Sequence, residues 1–125
     1  MEKEKNIKIN VKSKYHPERS NPHRNEYFFS YHITIINIGE KTTQLISRYW
    51  HITDGKGRIE EVRGPGVVGE QPRLKKGEQF GYTSFCPLPT PFGVMKGAFT
   101  MVDDKGSSFD VPISPFQLAT PEILN

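Results

Sequence analysis

The sequence predicts an all-β fold, an antiparallel sandwich of about seven strands, and three observations lead there. The 125 residues contain 11 glycines and 10 prolines, spaced too closely for long helices. Proline clashes in a helix interior, and glycine loses the most backbone freedom on entering one. The stretches between these breaks alternate apolar and polar residues with period two, the mark of strands with one buried face. Two of the breaks, Asp54-Gly55-Lys56-Gly57 and Asp103-Asp104-Lys105-Gly106, are hairpin signals in which glycine supplies a positive φ.

Taken in order, Ile7, Ile9, Val11, Ser13 and Tyr15 form one face of a first strand, with Lys8, Asn10, Lys12 and Lys14 on the other. His16 to Asn25 is a polar loop whose prolines and Asn21-Pro22 disfavour regular structure. Glu26 to Ile38 is a long second strand, with Tyr27, Phe29, Tyr31, Ile33 and Ile35 opposing Phe28, Ser30, His32, Thr34 and Ile36. Thr43 to Thr53 is the third, with Gln44, Ile46, Arg48, Trp50 and Ile52 on one face. Arg58 to Arg63 is its return. Gln79 to Phe85 is the fifth strand, and Cys86 to Gly93, with three prolines, is expected to be a stiff loop. Met95 to Val102 and Ser107 to Ile113 complete the set. Ser114 to Asn125 is expected to pack as an extended strap through Phe116 and Leu118. Such a set of short strands suits an immunoglobulin/fibronectin III-like β-sandwich, and Trp50 suits its buried aromatic. A closed barrel competes, but the long first hairpin and the prolines favour two open sheets.

At this length the chain is expected to be one domain, residues 1–125, with its core over about 7–113 and the strap at 114–125. A net charge of +3 is too mild for a dedicated nucleic-acid binder. Cys86 is the single cysteine, which excludes an internal disulfide and a multi-cysteine zinc site. The first residues, Met1 to Asn6, are charged and unlike a signal peptide, and no apolar run reaches the roughly 20 residues that span a bilayer. A cytoplasmic protein without membrane attachment is the expectation.

Gly64, Gly66 and Gly69 have the G-x-G-x-x-G spacing that wraps a backbone around a pyrophosphate in dinucleotide-binding folds. That motif works because a helix N-terminus follows and points free N–H groups at the anion. Here Pro72 and Gly77 leave no room for such a helix. The dinucleotide reading therefore fails on context.

Several ordered stretches carry a resemblance to a known family. They are Tyr31-His32-Ile33-Thr34-Ile35, Gln44 to Thr53, Glu61 to Pro72, Gly77-Glu78-Gln79-Phe80, Tyr82-Thr83-Ser84, Thr90 to Gly97 and Phe109 to Ile113. In these the chain resembles the bacterial ApaG family over nearly its whole length. The resemblance implies a fibronectin III-like sandwich and no established biochemical activity. It also implies a link to cobalt resistance, to magnesium efflux and to diadenosine polyphosphate metabolism, and, from eukaryotic relatives, a protein-binding role. Phe85 departs from the small residue the family more often has after Tyr-Thr-Ser.

Candidate sites follow from residue chemistry. The glycine loop could form a backbone nest for an anion, with Arg63, Gly64, Gly66, Gly69 and Arg73 as its residues. The plainer reading is that these glycines let a crossover turn tightly. Tyr49, Trp50, Phe85 and Phe92 are candidates for protein binding, since aromatics beside stiff prolines make surfaces cheap to order. Trp50 alone fits the core better. His32 and His51 fall on consecutive strands and could approach one another. No histidine spacing suits a metal, however, so no metal and no cofactor is expected. Cys86, flanked by Phe85 and Pro87, has no base beside it, and no catalytic constellation converges. The favoured expectation is a non-enzymatic interaction module for an unidentified protein partner, with a homodimer through a sheet edge as one form. The alternative is a receptor for phosphate or a polyphosphate nucleotide at Gly64 to Gly69.

Overall fold

A computed structural model describes residues 6–124 as a two-sheet antiparallel β-sandwich. Asn125, the end of the expected strap, and the first five residues lie outside the described residues. The strands are β1 (Ile7–Tyr15), β2 (Tyr27–Asn37), β3 (Thr43–Asp54), β4 (Ile59–Pro65), β5 (Arg73–Leu74), β6 (Gln79–Leu88), β7 (Phe92–Asp103) and β8 (Ser108–Ala119). A single helical turn, α1 (Pro121–Leu124), follows. One sheet has the order β1-β2-β6; the other has β4-β3-β7-β8, with β5 also pairing with β3. The loop between β1 and β2 makes two short 3-10 turns, each opened by a proline whose fixed φ suits that position.

The core lies between the sheets. Phe29, Ile33 and Ile35 of β2 meet Leu45 of β3, Phe99 and Met101 of β7 and Leu118 of β8, all without exposed surface. Trp50 is only 3% exposed and sits edge-on to Tyr31, Phe99 and Phe116 at 5.3, 6.4 and 5.9 Å. Offset and edge-on rings of this kind add to what area burial alone supplies. Trp50 is thus a core residue, which corrects its candidacy as a protein-binding surface. At one margin β1 lies along β8, where the Ser13 hydroxyl donates to the Gln117 carbonyl at 3.0 Å.

Three expectations are revised. β6 runs on through Cys86, Pro87 and Leu88, with Pro87 opposite Phe28, so the stiff loop shrinks to a turn around Thr90. An edge strand tolerates the donor that proline lacks. The expected strap is the second half of β8: beyond a bulge, Phe116 to Ala119 pairs with Met95 to Phe92. Third, the register of β3 slips between Leu45 and Ser47. This bulge puts Thr43 and Leu45 in the core before it and Trp50 and Ile52 in the core after it. The single face drawn from Gln44 to Ile52 is therefore two half-faces.

Each outer strand carries a device that opposes strand addition. β1 presents Lys8, Lys12 and Lys14, β4 ends in Pro65, β6 contains Pro87, and β8 contains Pro112 and Pro115.

Candidate functional site

The glycine motif forms a hairpin at the end of β4. The Gly66 N–H donates to the Ile46 carbonyl at 2.8 Å, so the β3 bulge presents the acceptor that anchors the loop. Val67 and Glu70 exchange two backbone hydrogen bonds of 2.8 Å. Between them Val68 and Gly69 both have positive φ, 44° and 79°, as a type I′ turn requires. A Cβ at Gly66, whose φ is +60°, would lie 2.3 Å from the Glu70 carbonyl oxygen. The donors of Gly66, Val67 and Glu70 are thus committed within the protein, and the loop is no open backbone nest.

What the hairpin turns inward is carbonyl oxygen. Arg48 Nη1 donates to Pro65 O at 2.9 Å and to Gly66 O at 3.0 Å. Gly64 sits opposite Arg48 in the ladder, and a Cβ there would stand 3.0 Å from Cζ, Nη1 and Nη2 alike. The guanidinium therefore lies flat on Gly64, in space that only glycine leaves. Sequence reasoning missed this residue, although a signal was present: a cation in phase with Trp50 and Ile52 on the inward half of β3.

Arg48 and Trp50 form one wall of a crevice of about 180 Å³ beneath the Val67–Gly69 turn. Tyr31 of β2 and Tyr82 and Ser84 of β6 form the other. Burial raises the pKa of both tyrosines; a hydrogen bond with Ser84 opposes the shift at Tyr31, and the Arg48 charge opposes it at both. The Tyr82 hydroxyl is buried and has no hydrogen-bond partner. From the turn, Val67, fully buried, and Val68, 54% exposed, line the crevice. A larger hollow of about 560 Å³ opens between Ile38, Gly39 and Phe109. It borders Asn6, the first described residue, and Glu40 neutralises its Lys76 at 2.7 Å.

The other predicted residues lie apart. Arg63 points to the outer face of the larger sheet, 4.3 Å above the Tyr49 ring and 3.6 Å from Glu61, whose carboxylate accepts the Tyr49 hydroxyl at 2.6 Å. Arg73 reaches Gln44 at 3.4 Å. Neither arginine joins the glycines; Arg48 does. Phe85 projects from the outer face of the three-stranded sheet, 5.3 Å from Phe28, with the Arg19 guanidinium 4.0 Å above Phe28 and 5.3 Å from Phe85. Phe92 opens β7 in the other sheet, opposite Ala119, and is half-buried. His32 and His51 belong to different sheets and do not approach one another. Among the described residues no three His, Cys, Asp or Glu side chains group as metal ligands do. Burial pushes the Cys86 thiol up to about 11, far from the thiolate a nucleophile needs.

Comparison with known proteins places this architecture. The chain is 52% identical over 117 residues to protein ApaG of Mesorhizobium japonicum, covering 94% of this chain and 90% of that one. The crystal structure described as the ApaA protein of Bordetella pertussis superposes with a TM-score of 0.90 at 50% identity, covering 92% of this chain and 94% of its own. The C-terminal domain of Wzt shares the fold alone, with a TM-score of 0.58 at 8% identity over 91% of this chain and 72% of that one. The family model of the ApaG domain matches residues 17–103, and with it the chain belongs to the ApaG family.

Proposed function

We propose that the chain is a non-enzymatic protein-interaction module that docks a partner on the outer face of the three-stranded sheet. The observation behind this reading is Phe85, which is 51% exposed, stacked on Phe28 and overhung by Arg19. Aromatic anchors beside an arginine are what the energetic centres of interfaces use. The row Lys8, Lys12 and Lys14 lies on the same face, and among the described residues no carboxylate comes within 4.0 Å of these lysines or of Arg19. The partner in this reading is acidic, with an apolar side chain for Phe28 and Phe85. It docks on the face, because the lysines of β1 and Pro87 of β6 oppose strand addition; the same devices count against a sheet-edge homodimer. Any part in cobalt or magnesium handling is then exerted through the partner.

The test is crosslinked capture from the native cell, followed by affinity measurement on the recovered partner with wild-type and Phe85→Ala chains. Phe85→Ala is expected to fold normally and to lose about 30-fold in affinity, about 2 kcal/mol. A partner that binds both chains equally, or whose footprint falls on the five-stranded sheet, overturns the reading.

A further inference from the structure

We infer that the crevice beneath the glycine hairpin is a receptor for a short aliphatic carboxylate, held by Arg48 together with the hydroxyls of Tyr31, Tyr82 and Ser84. The site is separate from the docking face and does not depend on it. Arg48 is half-buried, and two carbonyls orient it without neutralising it. Among the described residues no carboxylate lies within 4.0 Å of it. Across the crevice the Tyr82 side chain is 6% exposed, and its buried hydroxyl lacks a partner. Buried hydroxyls are almost always paired, so a cation without its anion facing a phenol without its acceptor points to one missing group. An oxyanion satisfies both.

Size and lining narrow the ligand. At about 180 Å³ the crevice is well under the ~300 Å³ at which pockets for larger ligands begin. A nucleotide is too large. The remaining lining is apolar, from Trp50, Val67 and Val68, and suits two or three methylene groups. One cation and neutral hydroxyls balance a monoanion but leave a phosphate dianion undercompensated. A planar carboxylate also matches the fork of guanidinium donors.

The experiment is a titration of the full chain with butyrate, followed by backbone amide signals. Saturable shifts are expected at Val67 to Gly69 and Ser84, with a Kd of about 1 mM, and none with butyramide. Tyr82→Phe is expected to weaken butyrate about fivefold without lowering the melting temperature of the free protein, because no hydrogen bond is lost. Arg48→Lys should weaken it about tenfold. No saturable shift at about 100 mM butyrate, equal shifts with butyramide, tighter binding of inorganic phosphate, or undiminished affinity of Tyr82→Phe would each overturn the assignment. A tripeptide with a free C-terminus distinguishes the source. Displacement of butyrate by it, and not by its amide, makes a chain end the ligand; no displacement leaves a free acid.

Discussion

The Asp54–Arg58 and Asp103–Ser107 hairpins are near copies of each other, whereas the Gly64–Glu70 hairpin is assembled by different means. In the first two, one aspartate does the work locally. Asp54 Oδ1 accepts the N–H groups of Lys56 and Arg58 at 2.8 and 3.0 Å, and Asp103 Oδ1 accepts those of Lys105 and Ser107 at 2.9 and 3.0 Å. Each turn closes on a glycine in the left-handed region, Gly57 at 84° and Gly106 at 82°. The third hairpin has no such cap. Its anchor is a carbonyl in the β3 bulge and its ballast is Arg48, both nearly 20 residues away in sequence. Local turns terminate strands; a turn held by distant groups can instead shape a crevice.

That contrast can be broken or sharpened by experiment. The largest expected effect is at Gly66, where Gly66→Ala drives a methyl into the Glu70 carbonyl. Urea denaturation should show a loss of about 3 kcal/mol, while Gly57→Ala, with open space around its Cβ position, should lose only about 1 kcal/mol. Equal losses would erase the distinction.

Alkaline titration comes next and should act through the buried groups of the three-stranded sheet. Burial raises the pKa of Cys86, Tyr31 and Tyr82, so the folded chain keeps protons that the unfolded chain releases. The unfolded state binds fewer protons, and stability must fall with rising pH. For Cys86, pushed up to about 11, the fall begins near pH 9 and reaches about 3 kcal/mol well above pH 11. Amide exchange should accelerate along β6 before it does in the aspartate turns, and Cys86→Ala should flatten the stability curve over that interval.

Asp54→Ala and Asp103→Ala should each cost about 1 to 2 kcal/mol, since each strands two backbone donors. Similar losses by thermal melting would establish the two turns as equivalent. The smallest effect is a gain. Val68 is a β-branched residue at φ 44°, and Val68→Gly should stabilise the fold by about 1 kcal/mol by relieving that conformation. If the inferred crevice binds butyrate, the same change should weaken it slightly by removing an apolar rim.

Features that depend on neighbouring residues were legible in the sequence. The aspartate hairpins, the alternation in β1 and β2 and the placement of Trp50 inside all follow from local chemistry. Features set by distant partners were not. Nothing around Ile46 marks a bulge, because the bulge exists to meet the Gly66 amide. Pro87 reads as a loop residue until β6 is seen to be an edge. The motif glycines drew attention to Arg63 and Arg73 through proximity in sequence, yet the ladder turns Arg63 outward and pairs Gly64 with Arg48. Part of the candidate site was therefore visible as glycine spacing, while its charge stayed hidden on another strand.

The seam between β1 and β8 has a kinetic consequence. Ser13 and Gln117, which the seam joins, are 104 residues apart, so the sandwich closes only once β8 has been synthesised. Chains dominated by such remote pairings fold slowly, on the order of milliseconds to seconds. During translation at about 5–20 residues per second, β1 leaves the ribosome several seconds before β8 exists. Over that interval β1 has only β2 beside it, and its lysine row keeps its open side from finding the wrong neighbour.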